Sequence, residues 1–326
     1  MSTVTQADPA ASAGSARPLS ERRPLGDRGF QVLALACGLL VLVILVLIVV
    51  STTQQASSWF STEGTKIFAR SWNPAAGQYG ALSFIYGTAI TAVIALVMAV
   101  PVSVGIALLL TEVVPYRWSR PIVYVIDLLA VVPSVVWGLW GIIVFAPWIE
   151  HIYSSIAGGV NGTPVLGPLF GQPTSGASFF TAGIILAFMI TPIVTSLSRE
   201  VIATVPAIER EGAYALGATR LEMIRGAVWP HSQGGVVGAV LLGLGRAMGE
   251  TIAAALVIGS SPTITSHLFA PGYNMPAVIA NEFGESFGLQ RAGLMGIGVL
   301  LFAFTIIINV IARGVVERSA RRKRGA

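Results

Sequence analysis

Six long apolar runs punctuate the chain: Gln31–Val50, Leu82–Leu110, Ile122–Trp148, Ser178–Ser198, Gly235–Gly259 and Ala292–Ala312. A helix needs about 20 mostly apolar residues to cross a hydrocarbon layer of roughly 30 Å, and every run meets that length. The pattern predicts an all-α membrane protein with six transmembrane helices. The first run is longer than a signal-peptide core and is followed by no convincing cleavage site, so it reads as a retained span. Pro101, Pro133 and Pro192 fall inside runs and are expected to kink their helices. Residues 1–28 are rich in Ala, Ser, Pro and Arg without apolar periodicity and are predicted to form a disordered tail. Residues 29–315 then form the six-span body, and residues 316–326 a basic tail.

Composition agrees with lipid as the solvent. Hydrophobic residues make up 54% of the 326 and charged residues only 11%, where soluble domains carry about 25% charged. The single cysteine, Cys37, excludes a disulfide framework. His151, His231 and His267 lack ligand spacing, so no metal is expected. The net charge of +5 could suggest nucleic acid, but basic residues flank apolar runs rather than forming a patch with interleaved aromatics. Their distribution sets topology instead. One set of connections holds Arg17, Arg22, Arg23, Arg28, Arg117, Arg120, Arg199, Arg210, Arg220, Arg225 and the Arg313–Arg324 cluster; the alternate set holds only Lys66, Arg70 and Arg291. Both termini and the second and fourth loops are therefore expected in the cytoplasm.

The outer stretch Gly158–Gly176 is too rich in Gly and Pro to build a core and is expected to lie against the outer mouth. The loop between the fourth and fifth runs, residues 199–232, is different. Pro206 marks a helix start, and Ile208 to Leu216 reads as helical until Gly217, a terminating glycine. Thr219 and Glu222 then form a T-x-x-E capping box for a second short helix, expected to end before Pro230. Two defined short helices joined at a glycine suit a rigid docking element.

The fifth run contains Arg246 and Glu250, four apart, so they are expected on one helix face where they can pair. Charge at mid-membrane costs about 2.5–3.5 kcal/mol per residue on insertion scales, so both side chains should face protein or a wet cavity. Gly234/Gly238 and Gly245/Gly249 have the G-x-x-x-G spacing that lets a neighbouring helix approach. A guanidinium stays charged at physiological pH and offers a donor fork to phosphate or sulfate oxygens. Arg246, Glu250 and Thr251 are thus the candidate substrate-pathway residues; a purely structural ion pair is the competing reading. Asp127 is a weaker candidate, equally suited to pairing with Arg117 or Arg120.

Glu211-Gly212-Ala213, with Gly217 six residues and Pro230 nineteen residues after the glutamate, resembles the EAA loop of ABC-importer permeases. Gly212 stands where that pattern has alanine, and Ala227 and Trp229 replace its usual apolar residues before the proline. The stretches Val205–Pro230, Leu241–Gly259 (with R-x-x-G-E-T at Arg246–Thr251) and Val132–Gly141 together resemble permeases of the phosphate-specific ABC importer. Trp72-Asn73-Pro74 through Thr88 is similar to the C-type subunit of that system. The resemblance implies a bacterial plasma-membrane subunit that forms the channel of an ATP-driven phosphate importer. It also implies a homologous A-type permease, a dimeric ATP-binding subunit docking on the 199–232 loop, and an extracytoplasmic phosphate-binding protein. No G-x-x-x-x-G-K-[ST] stretch occurs, so ATP and Mg are expected on the partner ATPase, and the chain itself is not expected to be an enzyme. The alternatives are a sulfate or molybdate ABC permease and, from another class, an ion-coupled secondary transporter. The latter often shows internal inverted repeats, which are not evident here.

Overall fold

The computed structural model describes residues 25–324 other than 161, 165 and 174, with side chains described from 29 to 314. The expected tail therefore lies outside the described residues as far as residue 24; its last four residues are instead helical. Helix α1, Leu25–Glu63, is the first element. Its side chains from Gly29 to Val50 are all exposed, as befits an apolar helix whose neighbour is lipid rather than protein. Among the described residues, those up to Val50 form one unit and those from Ser51 onward form a second, the body.

Within the body, a two-residue hairpin pairs β1, Trp72–Asn73, with β2, Gln78–Tyr79. Gly77 turns it at φ +66, a left-handed value that glycine adopts without a Cβ penalty. Helix α2, Leu82–Leu108, continues into a π-helical turn at Leu109–Val113. Then follow α3, Tyr116–Val131; α4, Ser134–Trp140; a π turn at Gly141–Phe145; and α5, Ala146–Val160. A short α6, Leu166–Phe170, precedes α7, Phe179–Ala203. The order closes with α8, Ala207–Ala215; α9, Arg220–Met223; α10, Trp229–Gly249; α11, Ile252–Val257; α12, Met275–Glu282; and α13, Gly288–Arg324.

Among the described residues, five helical stretches are long and apolar enough to cross a membrane: Gly29–Phe68, Leu82–Val113, Ser134–Val160, Phe179–Ala203 and Gly288–Gly314. The fifth expected span, Gly235–Gly259, corresponds instead to the interrupted pair α10–α11. The third expected span, Ile122–Trp148, is corrected. Val132 is extended at ψ 125 and Pro133 caps α4, so the proline ends one helix and opens another rather than kinking a single helix. The ring of Pro133 disfavours helical backbone at Val132. The crossing segment is shifted to Ser134–Val160, and α3 is a separate amphipathic helix with no fully buried residue.

Helix α7 is the centre of the body. Two-thirds of its apolar window is buried (67%), against 17% for α13. It packs on α2 through small residues. Ala95 and Ala99 of α2 lie with Leu186, Ala187 and Ile190 of α7, and Gly183 abuts Ile94 so closely that a Cβ there would collide. Small side chains let helix backbones approach, the main source of packing energy where lipid competes equally for apolar surface. Ser103 Oγ adds a hydrogen bond to the Thr191 carbonyl at 3.1 Å.

The opposite end is closed by loops that enter the body. Ser178 Oγ caps α7 by accepting from Thr181 N at 3.1 Å, and Asn274 Oδ1 caps α12 by accepting from Ala277 N at 2.9 Å. Leu268 N and Phe269 N donate to the carbonyls of Leu169 and Phe170. The Tyr153 and Phe269 rings stack at 4.0 Å. The Gly158–Gly176 stretch is therefore partly helical and joined to the 258–274 loop, rather than only lying against a mouth.

Candidate functional site

Two neighbourhoods carry the residues singled out by sequence. The first is the α8–α9 element. Pro206 is the N-cap of α8, and Gly217, at φ +81, follows the helix end. Thr219 caps α9 through the full capping box: its Oγ1 accepts from Glu222 N, and its backbone N–H donates to Glu222 Oε2 at 2.7 Å. Hydrogen bonds from the Thr219 N–H and hydroxyl stabilise the ionised carboxylate and hold the Glu222 pKa below its ordinary value.

The expected end before Pro230 is not found. A π turn at Ile224–Val228 joins α9 to α10, and Pro230 lies in the first turn of α10. The wider turn loosens the local hydrogen-bond register, so a proline lacking its N–H is accommodated there without a break.

This element is anchored to the helix ends beneath it. Val205, Met223, Val228 and Val236 are buried with Ala107 of α2 and Ile202 of α7, and Ala213 packs against them. Arg210 donates to the carbonyls of Val205 (2.6 Å) and Ile202 (3.0 Å) and to Glu112 Oε1 (2.9 Å). Glu209 Oε1 meets His231 Nδ1 at 3.1 Å, tying α8 to α10. Glu211, Gly212, Gly217 and Pro230 are exposed. So are the apolar side chains of Ile208 (77%) and Leu216 (91%), which face no part of this chain. Arg210 and Glu112 were missed by sequence reasoning, since they lie 98 positions apart and neither belongs to a local motif.

The second neighbourhood is the end of α10. The helix stops at Gly249; Glu250 turns to φ −71, ψ 123, and α11 begins at Ile252. Glu250 Oε1 accepts from Ala253 N at 3.4 Å, a capping contact with the start of α11. The expected Arg246–Glu250 pair is therefore not formed. The shared helix face ends where Glu250 leaves the helix, and among the described residues neither side chain has an ion-pair partner within 4.0 Å. Arg246 is exposed and Glu250 half-buried. Thr251 Oγ1 donates to the Gly249 carbonyl at 3.2 Å.

Among the described residues of this chain, no neighbouring helix occupies the expected glycine faces. A Cβ on Gly234, Gly238, Gly245 or Gly249 would meet nothing within 4 Å, so those faces are open within this chain. The glycines that admit a neighbour are Gly235, against Val201, and Gly243, where a Cβ would come within 2.6 Å of Val194. Asp127 is exposed and pairs with neither Arg117 nor Arg120. The arrangement thus presents an exposed cation, Arg246, on an open helix face one turn before a helix break. Such a cation can attract and hydrogen-bond an oxyanion in a water-poor setting.

The chain is 42% identical over 289 residues to the phosphate transport system permease protein PstC of Haemophilus influenzae, covering 87% of this chain and 91% of that one. The protein of the same name from Mesorhizobium japonicum is 41% identical over 324 residues, covering 98% of both chains. An inward-facing structure of the MetNI methionine ABC transporter aligns with a TM-score of 0.48 at 15% identity, over 77% of this chain and 99% of that chain. A family model described as "binding-protein-dependent transport system inner membrane component" matches residues 75–325, and the chain belongs to that family.

Proposed function

We propose that this chain is a channel-forming permease subunit of an ATP-driven phosphate importer. The observation that carries the reading is Arg246: exposed, without an ion-pair partner among the described residues, and set one turn before the α10–α11 break on a face the described residues leave open. Relatives at 41–42% identity carry the name phosphate transport system permease, which supports phosphate over sulfate or molybdate. The guanidinium fork offers paired donors to a tetrahedral oxyanion, and Thr251 places a hydroxyl beyond the break. Glu250 holds that break and keeps negative charge near the path, which limits how tightly an anion is retained.

The open Gly234/Gly238/Gly245/Gly249 stripe supports a pathway completed by a second, homologous permease of the A type. The exposed Ile208, Leu216 and Glu211 around Gly212, Ala213, Gly217 and Pro230 form the surface for a dimeric ATP-binding subunit, which holds ATP and Mg. An extracytoplasmic phosphate-binding protein delivers the substrate from the opposite side. Arg199, Arg210, Arg220 and Arg225 at the α8–α9 end support a cytoplasmic position for that end and for both termini, with the chain in a bacterial plasma membrane.

The test is uptake of labelled phosphate and labelled sulfate in a strain lacking the gene, re-supplied with wild type or Arg246→Gln at matched membrane levels. Selective loss of phosphate uptake, with an at least tenfold deficit for Arg246→Gln, about 1.4 kcal/mol of lost transition-state stabilisation, is the expected result. Full restoration by Arg246→Gln removes Arg246 from the pathway. Selective loss of sulfate uptake reassigns the substrate.

A further inference from the structure

A cavity of about 600 Å³ opens where the π turn after α2, the first two turns of α3 and the last turn of α7 meet the root of α8. Its lining includes Arg120, Arg199 and Arg210 against a single carboxylate, Glu112, with Tyr116 and Tyr124 on the α3 side. Glu112 is already committed to Arg210 at 2.9 Å. Among the described residues, Arg120 and Arg199 have no ion-pair partner within 4.0 Å. The pocket thus holds two uncompensated guanidinium groups. Arg120 is positioned by the Tyr116 ring, with its guanidinium carbon 4.4 Å from the ring centroid. Tyr116, Trp118 and Tyr124 are all more than 60% exposed on α3, the aromatic signature of a helix at headgroup depth.

We infer that this cavity is a binding site for a phosphate group, with Arg120 and Arg199 as the principal donors and Arg210 as a third, shared with Glu112. The charge stoichiometry sets the ligand class: two free guanidiniums match one phosphate dianion or two neighbouring phosphodiesters. A basic pocket between helix ends at the membrane surface takes phospholipid headgroups in other membrane proteins. The same donors would also take free inorganic phosphate. Because Arg210 belongs to α8, a ligand here sits within reach of the docking element's anchor. The inference depends on this chain spanning a membrane and not on the substrate proposed above.

The experiment uses the full chain co-purified with its partner subunits in nanodiscs. Phenylglyoxal labelling of individual arginines in the wild-type protein is read by mass spectrometry. Three conditions are compared: phosphatidylcholine alone, phosphatidylcholine with phosphatidylglycerol, and phosphatidylcholine with inorganic phosphate. Protection of Arg120 and Arg199 by several-fold relative to exposed Arg117 is expected in at least one anionic condition. Protection by phosphatidylglycerol alone identifies a lipid headgroup as the source, and protection by inorganic phosphate identifies the free anion. Native mass spectrometry of the Arg120→Gln/Arg199→Gln chain should then show retention of that ligand about tenfold weaker, with Arg117→Gln unchanged. Equal labelling of Arg117, Arg120 and Arg199 in all three conditions overturns the site, whatever the phosphate-uptake experiment gives.

Discussion

Arg210 of α8 and Glu112 at the end of α2 form an ion pair at 2.9 Å, with the glutamate side chain only 5% exposed and the arginine 22%. The pair fixes the α8–α9 element to the long apolar stretch Leu82–Val113 rather than only to its sequence neighbours. Removing one partner from a largely buried pair leaves an uncompensated charge, at a cost of about 3–5 kcal/mol when burial is complete. With Arg210 partly solvated, Arg210→Ala is expected to destabilise by roughly 2–3 kcal/mol. Arg210→Met combined with Glu112→Leu should recover part of that loss. Thermal unfolding of wild type, Arg210→Met, Glu112→Leu and the double variant measures the coupling; purely additive effects would remove the pair from the stability account.

Gly212 and Gly217 should respond oppositely to alanine. Gly212 is helical, and a Cβ there meets nothing within 4 Å. Gly212→Ala is therefore expected to stabilise α8 by about 0.8–1 kcal/mol, the helix-propensity difference. Gly217 has φ +81, so Gly217→Ala should cost about 1–2 kcal/mol for the left-handed backbone. Amide hydrogen exchange across Ala207–Ala215 reads both signs.

The Thr219–Glu222 capping box predicts a pH dependence. The Glu222 pKa is depressed in the folded chain. Its contribution is therefore fully present above the unfolded glutamate value, about 4.3, and is lost as pH falls through the lower folded value. Exchange protection of the Glu222 amide should hold from pH 7 to 5 and decline below pH 4. Thr219→Val should flatten that decline and speed exchange roughly fivefold at neutral pH. An unchanged profile in the variant would show that the box does not set the local stability.

Glu250→Ala removes the side-chain contact to Ala253 N at the start of α11. A lost N-cap contact costs about 1 kcal/mol, so a lower melting temperature and freer exchange over Ile252–Val257 are expected. If exchange there is unaltered, the break is held by backbone alone.

Much of this architecture is legible in the chain because local chemistry encodes it. Thr219, Glu222, Pro206 and Gly217 act within one or two turns of themselves, and their motifs place α8 and the start of α9 within a residue or two. The apolar runs mark where lipid is met, but apolarity cannot say which bonds a proline breaks. Val132–Pro133 separates α3 from α4, whereas Pro230 is absorbed by a π turn. The same residue type thus has opposite outcomes, decided by the backbone register around it. Arg246–Glu250 failed as a pair because the i, i+4 rule presumes helix at both positions, and Glu250 is where the helix ends. The Arg210–Glu112 contact depends on how α2 and α7 pack, which no window of sequence contains.

The π turn that carries the chain past Pro230 has a mechanical meaning. From Arg220 to Gly249 the backbone is helical without interruption, a span of about 45 Å at 1.5 Å per residue. One end carries the exposed turn beside Gly217, the other Arg246. A rod pivoting at its break works as a reducing lever: a wide sideways excursion at α9 becomes a small shift at Arg246, which lies about 6 Å from the break at 1.5 Å per residue. The break at Glu250–Thr251 then serves as the hinge, letting the rod swing while α11 and the loops beyond it stay in place.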